Sequence, residues 1–453
     1  MTDKPRRAAQ ELLRAVREDD AYANLELPRI LHGHGLTGRD AAFATELAYG
    51  TLRMQGWYDA VLAECLNRPL DKVDPGMLDI LRLGAHQLLS MRVPDHAAVD
   101  SSCALARDYG AKPGAAARAG FINAVLRKVA SRDSDAWADV VRGDRDASDV
   151  DWLATRWSHP AWIVRALGSA LGERAAELPQ LLEADNLAAR PSLVARPGRM
   201  EVTELLALPE VSAARWSPLG ATLTDGTPES LACVRDGRAG VQDEGSQLVA
   251  LALSRAEVPG DQGRWLDMCA GPGGKAAVLA GLAQAAGGYL VAVEQHAHRA
   301  DLVESSLGAE SAAEVLTGDA RRSPWGDQTF DRVLVDAPCT GLGALRRRPE
   351  SRWRRTPGDL AQLGGLQRDL LRAAVDAVRP GGVIAYVTCS PHLAETEFVV
   401  ADVVRERSDI ELEDARALLP ELDDLGDGPT VQLWPHRHGT DGMFLAILRK
   451  ASS

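Results

Sequence analysis

Trp265-Leu266-Asp267-Met268-Cys269-Ala270-Gly271-Pro272-Gly273-Gly274-Lys275 is a short apolar run that gives way to a turn dense in glycine. The run reads as a buried strand. The glycines let backbone amides approach a ligand closely, because they lack a Cβ and tolerate positive φ. The same alternation recurs downstream, with strands expected near residues 289–293, 313–316, 331–335, 383–388 and 443–448 and helical stretches between them. Strands and helices in alternation imply an α/β architecture, a doubly wound and mostly parallel sheet. Ligands sit at the carboxyl ends of the strands in such sheets. Cys269, Glu294, Asp319, Asp336, Cys339 and Cys389 all fall at those ends.

Working outward, the 453 residues exceed one ordinary core and suggest two to four domains. Residues 1–132 carry apolar side chains at three- and four-residue spacing, as in Phe121-Ile122-Val125-Leu126-Val129, and read as an all-helical domain. Pro69, Pro75-Gly76, Pro94 and Pro113-Gly114 mark helix boundaries there. Residues 133–150 are rich in Asp and Arg and read as a linker. Residues 151–240 begin with helical spacing and turn into short β-prone pieces, suggesting a helical and small α+β subdomain. Residues 241–453 hold the alternating sheet domain. There is no internal repeat.

No apolar run approaches the roughly 18 to 20 residues of a membrane span, and Met1-Thr2-Asp3-Lys4-Pro5-Arg6-Arg7 lacks the apolar stretch of a secretory signal, so a soluble cytoplasmic protein is expected. Six cysteines with no pair at C-x-x-C spacing point away from a disulfide scaffold and from structural zinc, and no metal is expected. Nothing demands more than a monomer. A net charge of −13 argues against nonspecific coating of nucleic acid, so any RNA contact must be local. The one dense basic cluster is Arg346-Arg347-Arg348-Pro349-Glu350-Ser351-Arg352-Trp353-Arg354-Arg355. Its arginines suit phosphates, and Trp353 suits stacking on a base; a solvated positive loop is the plainer alternative.

The glycine turn is not a P-loop, because Cys269 precedes Gly274 by five residues and Ala276 follows Lys275, nor is it the G-x-G-x-x-G of dinucleotide enzymes. Glu294, ending the next strand about twenty residues on, can accept both ribose hydroxyls of a nucleoside, and Asp319 can contact the adenine side. S-adenosylmethionine suits this set better than NAD. Cys339 and Cys389 each follow an apolar strand. They read either as inert buried thiols or as a pair for chemistry at a pyrimidine. Cytosine C5 is a poor nucleophile; a thiolate adding to C6 makes it reactive, which is covalent catalysis. A second thiol serves the later release. Asp336 can hydrogen-bond the base edge and offset charge as the adduct forms.

Phe330-Asp331-Arg332-Val333-Leu334-Val335-Asp336-Ala337-Pro338-Cys339-Thr340-Gly341 resembles the signature of the RNA 5-methylcytosine methyltransferases, and Thr388-Cys389-Ser390 resembles their second cysteine motif. The resemblance implies a Rossmann-like class I methyltransferase domain that uses S-adenosylmethionine. It makes Cys389 the nucleophile and Cys339 the aid to product release. Cys269, Ala270, Gly271, Pro272, Gly273, Gly274, Lys275, Glu294, Asp319 and Asp336 then line the cofactor and base sites. Two segments of the front end, Glu46-Leu47-Ala48-Tyr49-Gly50-Thr51-Leu52-Arg53 and Phe121-Ile122-Asn123-Ala124-Val125-Leu126-Arg127, are similar to the RNA-binding antitermination factor NusB. A NusB-like domain fused to this catalytic domain is the arrangement of the bacterial 16S ribosomal RNA cytosine-C5 methyltransferases, which implies 16S RNA, free or partly assembled, as the partner. Ala276 stands where the family often has Thr, Gly271 where it often has Ala, and Glu395-Thr396-Glu397 where it usually shows adjacent Glu and Asn. Three alternatives stay open: a tRNA cytosine methyltransferase, a non-catalytic RNA-binding protein, and a DNA-type enzyme with Cys339 as nucleophile.

Overall fold

The computed structural model describes residues 3–110, 113–309, 311–326 and 329–452. Met1, Thr2 and Ser453, which the domain boundaries above include, lie outside them. The chain divides into two compact units: one runs to Leu187 and takes in Leu345–Arg354, and the other holds Ala188–Ala344 and Arg355–Ser453.

The first unit is helical, as its apolar spacing predicts. Several of its helices start at an aspartate cap. Asp3 accepts from the Arg6 amide at 3.0 Å ahead of Lys4–Glu18, and Asp74 accepts from the Met77 amide at 3.0 Å ahead of Pro75–Leu89. Such caps satisfy amides that the helix itself leaves unpaired. Leu12, Leu47, Leu62, Ile80, Leu81 and Leu126 bury completely in its core.

Two expectations change here. Residues 133–150 do not form an open linker: Ser134–Arg142 is a helix capped by Asp133, with Trp137 and Val141 buried in the same core and the Trp137 indole N–H donating to the Val129 carbonyl at 2.8 Å. The helices Val150–Arg156 and Ala161–Leu171 also lie in this unit rather than in a 151–240 subdomain. Trp152 explains part of this, since it packs edge-on against Trp57 with centroids 6.4 Å apart.

The second unit contains two sheets. Strands β1 (Ser192–Ala195), β2 (Val211–Ala213), β3 (Gly220–Leu223) and β4 (Ala239–Val241) form a small antiparallel sheet in the order β2-β3-β1-β4. It sits close on the larger domain: a Cβ at Gly281 would meet the Pro197 carbonyl at 2.1 Å, and Arg196 donates to the Ser306 carbonyl at 2.8 Å. The large sheet comprises β5 (Arg264–Asp267), β6 (Tyr289–Glu294), β7 (Ala313–Thr317), β8 (Phe330–Asp336), β9 (Val378–Thr388), β10 (Ile410–Glu413), β11 (Val431–Gln432) and β12 (Phe444–Lys450). Its order is β10-β12-β9-β8-β5-β6-β7, with β11 paired to β12. Strands β5 to β9 run parallel, and β10 to β12 join antiparallel. Leu290 and Ala292 bury on one face of β6, and Val291 and Val293 on the other. Helices therefore cover both faces, and the sheet opens only at its strand ends.

Candidate active site

Four parallel strand ends build the site. After β5, the turn stays tied to the sheet: the Met268 amide donates to the Leu334 carbonyl and the Ala270 amide to the Val293 carbonyl, each at 2.9 Å. Gly273, at φ 111°, then turns the chain into the helix Gly274–Ala285. At Gly271 a Cβ would lie 2.1 Å from Glu294 Oε2, so the turn and the end of β6 form a tight cradle. Arg299 braces it, donating to the Gly271 carbonyl at 2.6 Å while its Nε stands 3.6 Å from Glu294 Oε2. Beneath the cradle, buried Asp267 accepts from the Cys269 amide at 3.2 Å through Oδ1, while its Oδ2 has no hydrogen-bond partner among the described residues. A tight glycine cradle, an acid on a strand end and an orphaned buried oxygen fit a polar nucleoside such as S-adenosylmethionine.

Burial, and then the nearby Asp336 charge, push the Asp267 carboxyl up to about 7. Burial also pushes the Cys269 thiol up, with acids on three sides adding to the effect. Asp319 lies two residues past β7 and is held by its neighbour: Arg321 donates to it from Nη2 at 2.7 Å and Nε at 2.9 Å, and that pairing lowers its pKa.

The two cysteines come together as the sequence implied. Cys339 follows β8 and Cys389 follows β9, adjacent parallel strands, and their Sγ atoms stand 3.4 Å apart. The Gly343 amide donates to the Cys389 carbonyl at 2.9 Å, holding the two loops in register. Asp336, at the end of β8, accepts from Lys275 Nζ at 2.8 Å. Burial works against the Lys275 ammonium, but Asp336 outweighs it and holds its pKa above the usual lysine value. The thiols are unequal. The contact between the two sulfurs lowers Cys389 against burial and the Asp336 charge, with Lys275 assisting, while the same contact and burial push Cys339 up. The Lys275 ammonium favours a thiolate at Cys389.

The basic cluster is corrected in part. Leu345–Arg354 belongs to the helical unit. Arg352 is wholly buried there: Nη1 donates to the carbonyls of Ser158 at 3.0 Å and Arg53 at 3.3 Å and to Asn186 Oδ1 at 2.8 Å, and Nη2 donates to the Asp185 carbonyl at 3.3 Å. Arg354 bonds the Ala21 carbonyl, pairs with Asp20 at 3.0 Å and stacks on Tyr22. A guanidinium sequestered among carbonyls cannot neutralise a phosphate, so Arg352 is a structural latch. Arg346 is buried and Arg347 and Arg355 half-buried, whereas Arg348 and Trp353 keep an open face. Sequence reasoning missed the Lys275–Asp336 pair and Arg299. An arginine one turn after the strand-end acid was the available signal for the latter.

Among the described residues no helix is long and apolar enough to cross a membrane, and no group of three or more His, Cys, Asp or Glu side chains is placed to hold a metal ion. Residues 255–449 match the 16S rRNA methyltransferase RsmB/F family, and residues 3–131 match the NusB family. The chain is 51% identical to Mycobacterium tuberculosis (strain H37Rv) Rv1407, a protein provisionally named a methyltransferase, over 99% of this chain and 97% of that one. It is 33% identical to ribosomal RNA small subunit methyltransferase B of Pseudomonas syringae pv. tomato, again over 99% of this chain and 97% of that one. The solved structure of PH0851 shares the fold with a TM-score of 0.80 at 24% identity, covering 99% of this chain and 98% of its own.

Proposed function

The chain belongs to the RsmB/F family of 16S rRNA methyltransferases and carries a NusB-family domain at its front, and from that premise we propose that it methylates C5 of a cytosine in 16S ribosomal RNA through a covalent Cys389–C6 adduct. The observation that carries this reading is the pair of thiols 3.4 Å apart beside a Lys275–Asp336 ion pair.

Glu294 and the turn from Cys269 to Lys275 would hold S-adenosylmethionine, with Asp319 toward the adenine. That cofactor, when bound, supplies the electrophilic methyl group. The Cys389 thiolate adds to C6, and the C5=C6 electron pair becomes available at C5. Asp336, anchored by Lys275, hydrogen-bonds the base edge and offsets the charge that develops there. Release follows when the C5 proton passes to water, its electron pair restores C5=C6, and the C6–S pair returns to Cys389. The Cys339 thiol assists by donating to the departing sulfur. A base inside a finished duplex cannot reach Cys389, so the substrate is free or partly assembled RNA, met by a monomer in the cytoplasm. Arg348 and Trp353 are the members of the basic cluster best placed to touch it.

Adduct trapping tests the reading. Cys339→Ala and Cys389→Ala are incubated with S-adenosylmethionine and a 16S rRNA transcript and run on a denaturing gel. A protein–RNA band with Cys339→Ala alone is the expected result. A band with Cys389→Ala alone would make Cys339 the nucleophile, as in a DNA-type enzyme. No band with either would overturn the cytosine-C5 mechanism.

A further inference from the structure

Glu395 lies six residues beyond Cys389 in a short turn after β9 and is completely buried. Among the described residues no lysine or arginine forms an ion pair with it; its hydrogen-bond donors are neutral. Oε1 accepts from the Thr340 amide at 2.8 Å and from Gln367 Nε2 at 3.2 Å, and Oε2 accepts from the Thr340 hydroxyl. The same Gln367 Nε2 donates to the Pro338 carbonyl at 2.9 Å. Both chain neighbours of Cys339 are thus gripped by this carboxylate or by its partner. The Glu395 carbonyl in turn accepts from the buried Tyr386 hydroxyl of β9 at 2.8 Å, and the Thr340 hydroxyl stands 3.2 Å from Ser390 Oγ. A buried carboxylate without a cation is costly and persists only where its hydrogen bonds are needed. All of these bonds converge on the loops that carry the two thiols.

We propose that Glu395 is a positioning residue which, through Thr340 and Gln367, holds Cys339 against Cys389 and so governs breakdown of the covalent adduct. This rests on the cytosine-C5 reading above. In that step the C5 proton goes to water, the C5–H pair closes the C5=C6 bond, and the C6–S bond breaks with its pair returning to Cys389. Cys339 must be in place at that moment to donate to the leaving sulfur. The Glu395 charge also adds to the burial and hydrogen bonding that keep Cys339 protonated.

The test compares wild type, Cys339→Ala, Glu395→Ala, Glu395→Gln and Thr340→Val, each with methyl-labelled S-adenosylmethionine and a 16S rRNA transcript. Three readouts are taken: first-turnover methyl transfer, steady-state turnover, and the covalent band on a denaturing gel. Glu395→Ala should cut turnover at least about tenfold, the equivalent of one lost hydrogen bond to a charged group. Its first turnover should stay close to wild type, and its covalent band should grow as that of Cys339→Ala does. Glu395→Gln, which keeps an acceptor for the Thr340 amide, should recover most of the turnover. If Glu395→Ala does not fold, Thr340→Val carries the same expectation, a larger band with slower release. Parallel loss of first turnover and release, with no band in either folded variant, would overturn the proposal while a band from Cys339→Ala leaves the mechanism standing. If Cys339→Ala also traps nothing, the C5 reading fails and this inference falls with it.

Discussion

Two neighbouring stretches, residues 336–341 and 346–355, both stand out by residue type, yet the structure uses them in opposite ways. The first ends a parallel strand, and its Asp336 and Cys339 meet Lys275 and Cys389 at the mouth of the sheet. The second carries six arginines and a tryptophan, but its central guanidinium is folded inward among the carbonyls of Arg53, Ser158 and Asp185. Both stretches draw charged side chains at least partly out of water. One sets its charge beside the paired thiols, the other holds helices together.

The sharpest way to break this contrast is Arg352→Ala. Removing the guanidinium leaves three carbonyls and Asn186 Oδ1 without their donor, and should cost roughly 2–4 kcal/mol of stability in urea unfolding of the full chain. Lysine should not rescue it, because a single ammonium cannot reproduce the planar fork. RNA affinity lost at wild-type stability would return Arg352 to the role its residue type suggested.

A smaller effect sharpens the catalytic side. Asp267, raised to about 7, takes up a proton in the folded chain that the unfolded chain does not bind above about pH 4. Its contribution to stability is therefore fully present below that pH and is lost as the pH rises through about 7. Asp267→Asn carries no such term. The melting temperature of wild type minus that of the variant should fall between about pH 5 and 8, read by differential scanning calorimetry. A flat difference would mean that Asp267 is ionised throughout and that its orphaned oxygen has another explanation.

The smallest effect belongs to the exposed end of the cluster. Arg348→Ala should weaken binding to a 16S rRNA transcript modestly and reduce the salt slope by about one ion, with adduct formation at saturating RNA unchanged. An unchanged slope would remove the exposed arginine of this cluster from the RNA interface.

Much of the fold was legible because its signals are local. Alternating strands and helices, prolines at helix starts and the glycine turn after Trp265-Leu266-Asp267 each follow from a few consecutive residues. The helix Ser134–Arg142 was hidden because it is short and lies in a stretch rich in Asp and Arg; it exists because Trp137 and Val141 find a core made by other helices. The strands β10 and β11, four and two residues long, were too short to show a period.

Within the site, the sequence alone determined which residues reach the strand ends, since a parallel strand delivers its last side chains to the same edge wherever it sits in the sheet. It placed Cys269, Glu294, Asp319, Asp336, Cys339 and Cys389 there. Only the tertiary structure decided that the two sulfurs stand 3.4 Å apart, that Lys275 pairs with Asp336, and that Arg352 is a latch while Arg348 stays open. Those outcomes depend on burial and on partners brought from distant parts of the chain, and a charge acquires its meaning only from the groups that surround it.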